Sequence, residues 1–122
     1  MENELLFTKT HEWIQWLNEE KTEAYVGLSQ YAADSLGDIV YVNIEVDETE
    51  VGEVLGDVES VKAVSDLFSP FTGKVSIVNE EVINSPELIN VKPEETWICK
   101  IVDIKESDHL LSKAEYDKVE KE

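Results

Sequence analysis

Glu59-Ser60-Val61-Lys62-Ala63-Val64-Ser65-Asp66 sets one lysine at the centre of a valine-rich run. The stretches on either side, residues 54–61 and 64–68, are β-prone, and paired as a hairpin they leave Lys62 at the tip, pointing into water. Gly, Asn and Asp are the usual residues of a tight turn because they tolerate its backbone angles. Turn chemistry therefore does not ask for a lysine here. Two readings stay open: a solvated lysine that keeps the hairpin soluble, or an amine that something else uses.

Outward from the hairpin, most of the chain reads as short strands with a period of two. Residues 11–17 and 23–28 alternate, with Asn18-Glu19-Glu20-Lys21 as the turn between them. Residues 29–36 predict a short helix, with Ser29 as N-cap and Gly37 as its stop. Residues 39–44 are β-branched or aromatic at nearly every position and predict a strand; the acidic stretch 45–50 then leads to Val51. Gly52-Glu53-Val54 and Gly73-Lys74-Val75 echo one another across Lys62. The echo suggests two strand sets facing each other as a small flattened barrel or sandwich with a quasi-twofold axis.

Ser69-Pro70-Phe71-Thr72-Gly73 predicts a turn. A short helix is expected over 80–84, and Ser85-Pro86-Glu87 predicts another start, with Ser at N-cap and Pro at N1. Residues 97–102 predict a strand. Ser112-Lys113-Ala114-Glu115 fits a capping box, and Tyr116 and Val119 would dock the C-terminal helix that follows.

A chain of 122 residues, 42% apolar, is expected to form one domain over 1–122 with a real core. No apolar run reaches the length of a membrane span. Met1-Glu2-Asn3-Glu4-Leu5 is acidic and lacks the basic start of an export or organelle signal, so a cytoplasmic setting is expected. The net charge is −18 and all ten basic residues are lysine. Without arginine there is no planar fork for phosphate, and without a basic footprint nucleic-acid binding is excluded. Such a field keeps a protein soluble or steers it toward basic patches on partners, and charge alone does not choose between the two; the shared sign favours a monomer that visits partners over self-association.

Cys99 is the only cysteine, on a run where Trp97, Cys99 and Ile101 share one strand face. It reads as a buried structural thiol. His11 beside Glu12 does not make a metal pair, because adjacent strand residues point to opposite faces. There is no Gly-x-Ser-x-Gly elbow, phosphate loop, dinucleotide fingerprint or zinc spacing, and among 28 acidic residues carboxylate pairs arise by chance. No catalytic residue and no metal site is expected; any chemistry belongs to something attached. An acylated lysine loses its charge and becomes a long arm that raises the local concentration of its end group.

Four blocks carry a resemblance to the H protein of the glycine cleavage system, a lipoyl-carrier family. Phe7-Thr8-Lys9-Thr10-His11-Glu12-Trp13 is similar to its opening strand. Val26-Gly27-Leu28-Ser29-Gln30-Tyr31-Ala32 with Leu36-Gly37-Asp38-Ile39-Val40 resembles the next block. Val58-Glu59-Ser60-Val61-Lys62-Ala63-Val64-Ser65-Asp66 resembles the lipoylation block. Ser69-Pro70, Gly73-Lys74-Val75, Val78-Asn79 and Pro86 with Leu88-Ile89-Asn90 complete it.

The resemblance implies a mainly β barrel-sandwich hybrid, like lipoyl and biotinyl carriers, with short helices and a C-terminal helix. It implies lipoate in amide linkage to Lys62. It implies as partners a pyridoxal-phosphate glycine decarboxylase (P protein), an aminomethyltransferase (T protein), a flavin-dependent dihydrolipoamide dehydrogenase (L protein) and lipoylating enzymes. The arm would carry the aminomethyl group of glycine between the first two and electrons to the third, as thiol–disulfide chemistry on the cofactor.

The resemblance further implies that the loaded arm folds into a cleft at Thr10, Glu12 and Asp66, with Glu12 or Asp66 pairing with the cationic amine. One departure stands out: Asn90-Val91-Lys92-Pro93 is followed by Glu94-Glu95-Thr96, where the family carries an aromatic residue and glycines before Trp97. Other readings remain: an H-like carrier serving sulfur metabolism or lipoyl relay, a non-catalytic acidic interaction module, or a hydrolase without a visible constellation. A biotinyl carrier lacks support, since no methionine flanks Lys62.

Overall fold

Nine strands and four short α-helices follow one another along residues 4–119, the part of the chain that the computed structural model describes; residues 1–3 and 120–122 lie outside it. The strands are β1 (Leu6–Phe7), β2 (Glu12–Trp16), β3 (Ala24–Leu28), β4 (Ile39–Ile44), β5 (Glu48–Thr49), β6 (Val54–Ser60), β7 (Val64–Phe68), β8 (Phe71–Val78) and β9 (Trp97–Ser107). The helices are α1 (Gln30–Leu36), α2 (Glu80–Asn84), α3 (Leu88–Val91) and α4 (Lys113–Asp117), with a 3-10 turn at Pro93–Glu95.

Two antiparallel sheets form, one ordered β1-β2-β3-β9-β8-β5 and the other β4-β6-β7. They close over one core, to which Ile14, Val26, Ile98 and Ile101 come from the larger sheet and Val42, Leu55, Val58 and Leu67 from the smaller. Alternation along the strands sends most of these side chains inward, and register shifts at Leu55 in β6 and at Ile98 in β9 turn those two inward as well. The result is a mainly β barrel-sandwich hybrid.

The two echoed glycines serve different ends. Gly52 turns the chain with φ 86°. Gly73 lies inside β8, where a Cβ would sit 2.7 Å from the Val102 carbonyl oxygen, so it permits close approach of β9.

Three boundaries differ from the sequence reading. The turn after β7 is confined to Ser69 and Pro70, because the Ser69 hydroxyl accepts from the Phe71 amide at 3.2 Å and donates to its carbonyl at 2.7 Å, closing the bend early. Helix α3 starts at Leu88, and residues 85–87 form a turn ahead of it, with Leu88 N–H bonded to the Ser85 carbonyl at 3.0 Å. Strand β9 runs on to Ser107; the alternation breaks at Asp103, whose φ is 52°, yet pairing with β8 resumes beyond it.

The C-terminal helix is capped as expected. Ser112 Oγ accepts from Glu115 N–H at 3.1 Å while the Glu115 carboxylate takes Ser112 N–H at 2.8 Å. Tyr116 docks it by stacking on Phe7, ring centroids 4.6 Å apart, in a small second cluster with Trp13 and Leu111, and Val119 packs against the same cluster.

Candidate functional site

Strands β6 and β7 pair from Val54 with Phe68 to Glu59 with Val64, leaving residues 60–63 as the turn. Ser60 organises it. Its backbone N–H reaches the Ala63 carbonyl at 2.8 Å, and its hydroxyl accepts from Lys62 N–H at 3.2 Å and Ala63 N–H at 3.1 Å. A serine hydroxyl thus supplies the local bond that Asn or Asp gives other turns. Neither Val61 nor Lys62 adopts a positive φ, so the position tolerates a lysine. The exposed Lys62 is flanked by valines that are equally open, Val61 at 70% and Val64 at 66%.

The tip is tied to the body at Asp38 and Ile39, the latter paired with Ser60. Val61 N–H donates to the Asp38 carbonyl at 3.0 Å. Asn90 clamps both sides of Asp38, its Nδ2 donating to the Gly37 carbonyl at 2.8 Å and its Oδ1 accepting from Ile39 N–H at 2.9 Å. The Lys62 side chain passes over Gly37, where a methyl group would lie 3.6 Å from its Cε.

Beside the hairpin runs a groove of about 370 Å³, with Leu28, Ala32 and Leu36 as apolar wall and Thr10, His11 and Asp66 among its polar groups. A larger hollow of about 680 Å³ lies between Glu48, Glu53, Lys74 and Asp103 and contains no residue of the hairpin tip. Volume alone would select the latter. Proximity selects the former, since its wall includes Ser65 and Asp66 just beyond Lys62.

The three expected cleft residues separate. Thr10 and Asp66 border the groove, both exposed. Glu12 does not line it. Its side chain is buried, with one carboxylate oxygen accepting from Thr8 Oγ1 at 2.7 Å and Thr10 Oγ1 at 2.5 Å and the other from Phe68 N–H at 3.1 Å. Burial outweighs these bonds and pushes its pKa up to about 7. Glu12 therefore holds Thr10 in place and ties that loop to the end of β7.

His11 precedes β2 and has φ 78°, so the opposite-face rule used for it in the sequence does not apply. It lines the groove, as does Tyr31, whose ring lies 4.8 Å from the imidazole. Among the described residues no group of His, Cys, Asp or Glu could hold a metal ion. Cys99 is fully buried and its thiol is pushed up to about 12 by desolvation. The loop that departs from the family pattern supports the groove instead of lining it. The Pro93 carbonyl accepts from Trp13 Nε1 at 2.9 Å, and the Glu94 carboxylate accepts from Gln30 N–H at 2.8 Å in the first turn of α1. Sequence reading missed Ser60, Asn90 and Glu94; only Ser60, a turn former inside the hairpin, carried a local signal.

A family model described as glycine cleavage H-protein matches residues 5–122. The chain belongs to this family. A glycine cleavage system H protein of Lachnoclostridium phytofermentans is 52% identical over 115 residues, spanning 93% of this chain and 89% of that one. One of Listeria monocytogenes serotype 4b is 44% identical over 121 residues, 95% and 94% of the two chains. The crystal structure of a glycine cleavage system H protein from Mycobacterium marinum superposes with a TM-score of 0.83 at 34% identity, covering 95% of each chain. Proteins of this family carry lipoate covalently on a lysine and act as the non-catalytic carrier of glycine cleavage, and that is the role of this chain. No helix among the described residues is long and apolar enough to cross a membrane.

Proposed function

We propose that the whole chain is one carrier unit whose lipoate sits on Lys62. The observation that carries this is the presentation of that lysine: a Ser60-built turn, fastened to Asp38, with an exposed lysine at the end of a two-stranded hairpin. A modifying enzyme needs such an accessible stem, and the exposed valines offer it apolar contact. When bound, the dithiolane supplies thiol–disulfide chemistry. The chain's own residues position the arm and shield its end. Leu28, Ala32 and Leu36 keep water from the groove, and Asp66 faces the cationic amine of the cargo there. Glu12 acts behind Thr10, by keeping that hydroxyl pointed at one place.

The arm serves three partners in turn, the pyridoxal-phosphate glycine decarboxylase, the aminomethyltransferase and dihydrolipoamide dehydrogenase, after lipoylating enzymes have attached it. The expected setting is the cytoplasm, as a monomer, since a net charge of −18 opposes self-association. Intact mass spectrometry with peptide mapping, on protein made in a lipoate-competent host, tests the attachment. One lipoyl group on the Lys62 peptide, absent from Lys62→Arg, is the expected result. An unmodified Lys62 beside active lipoylating enzymes refutes it.

A further inference from the structure

We propose that Tyr116, on the C-terminal helix, is a positioning residue for the arm groove, holding His11 on the groove wall and Ser29 at the head of α1 in one fixed arrangement. The proposal rests on the reading that the arm docks in that groove.

The Tyr116 hydroxyl is placed where two groove elements meet. It lies 2.7 Å from His11 Nδ1 and 2.9 Å from Ser29 Oγ. Ser29 N–H in turn donates to the His11 carbonyl at 3.0 Å. These three contacts close a ring through Tyr116, His11 and Ser29. A buried phenol needs one partner to offset its desolvation. This one has at least two, His11 and Ser29, and each leads to the groove.

Through Ser29 the hydroxyl reaches α1, because Ser29 Oγ also accepts from Ala32 N–H at 3.1 Å, and Ala32 belongs to the groove's apolar wall. Through His11 it reaches the opposite polar side, next to Thr10. His11 has φ 78°, a conformation that a residue with a Cβ keeps only when its surroundings impose it. The imposed contacts are visible: His11 N–H on the Thr8 carbonyl at 3.1 Å, its own carbonyl on Ser29, and its ring between Tyr31 and Tyr116. Tyr116 is itself immobilised by stacking on Phe7 with an interplanar angle of 11°. The C-terminal helix thus holds Ser29 and His11, from which it is 87 and 105 residues distant in sequence.

Tyr116→Phe removes the hydroxyl and keeps the stacked ring, so the fold is retained. In the full chain without lipoate, the imidazole ¹⁵N resonances of His11 are expected to move, and the Ala32 amide to exchange with solvent about three- to tenfold faster, the factor one lost hydrogen bond carries. In the loaded protein, loss of cargo to water should accelerate by about the same factor. Val119→Ala, which trims packing against the small cluster just beyond the helix, should lower stability and leave His11 and cargo loss as in the parent. Asp66→Asn separates the two layers of inference. If it accelerates cargo loss while Tyr116→Phe changes neither the His11 signals nor the rate, the role of Tyr116 is overturned and docking stands. If neither variant alters the rate, the docked-arm reading falls and this proposal with it. In the parent protein, His11 Nδ1 and Nε2 shifts averaged by rapid exchange between the two tautomers, as in an imidazole held by no fixed bond, also overturn it.

Discussion

Replacing Glu12 by glutamine should change how stability depends on pH more than it changes stability itself. The carboxyl is 1% exposed, and its burial raises the pKa from the ordinary 4.5 to about 7 in spite of bonds from Thr8, Thr10 and Phe68. A raised carboxyl binds its proton more tightly folded than unfolded. Its contribution is therefore fully present below about pH 4.5 and is lost as the pH rises through about 7. The gap from 4.5 to about 7, at about 1.4 kcal/mol per tenfold change in proton affinity, gives a loss of about 3 kcal/mol between pH 4.5 and 8.

Glu12→Gln removes that titration. It also replaces the acceptor oxygen that faces the Thr8 and Thr10 hydroxyls by an NH2 group, while the amide oxygen keeps Phe68 N–H, at a pH-independent cost of about 1–2 kcal/mol. Urea denaturation of both proteins at several pH values from 4.5 to 8 isolates the difference, since the chain's other carboxylates are common to the two. The variant should gain on the parent by about 3 kcal/mol over that range. A difference that stays constant to within about 0.5 kcal/mol would mean that Glu12 ionises normally and that its bonds balance its burial.

Two further outcomes are expected. Ser60→Ala takes away the hydroxyl that holds the Lys62 and Ala63 amides. The tip is exposed, so global stability should fall by only about 1 kcal/mol while those two amides exchange markedly faster; unchanged exchange there would show that the backbone alone keeps the turn. Asn90→Ala strips partners from Ile39 N–H and the Gly37 carbonyl. A loss of about 2–3 kcal/mol, with faster exchange at Val61 through the released Asp38 anchor, is the expected readout, and retained protection at Val61 would break the proposed link.

Much of the molecule was legible where its chemistry is local. The β6–β7 hairpin, the Ser29 cap and the Ser112 capping box all depend on residues a few positions apart, and each stands where the pattern puts it. The place of Lys62, exposed at the hairpin tip, was legible from the β-prone runs on either side of it. The cleft was only partly legible. Thr10 and Asp66 reach the groove, but Glu12 is drawn inward by bonds that include Phe68, 56 residues away. His11 escaped because its left-handed backbone depends on Ser29 and Tyr116, contacts no local period reports. The Asn90 clamp likewise joins residues 51 and 53 positions apart.

The burial of Cys99 has a consequence for an arm that alternates between disulfide and dithiol. Exchange with a cyclic disulfide requires a thiolate, and a thiol held at about 12 is ionised in only about one molecule in a hundred thousand at pH 7. The scaffold therefore cannot capture its own oxidised arm as a mixed disulfide, even when that arm swings freely across the surface. A cysteine introduced elsewhere on the surface would be the one reactive protein thiol, a clean attachment point for a probe that reports where the arm is.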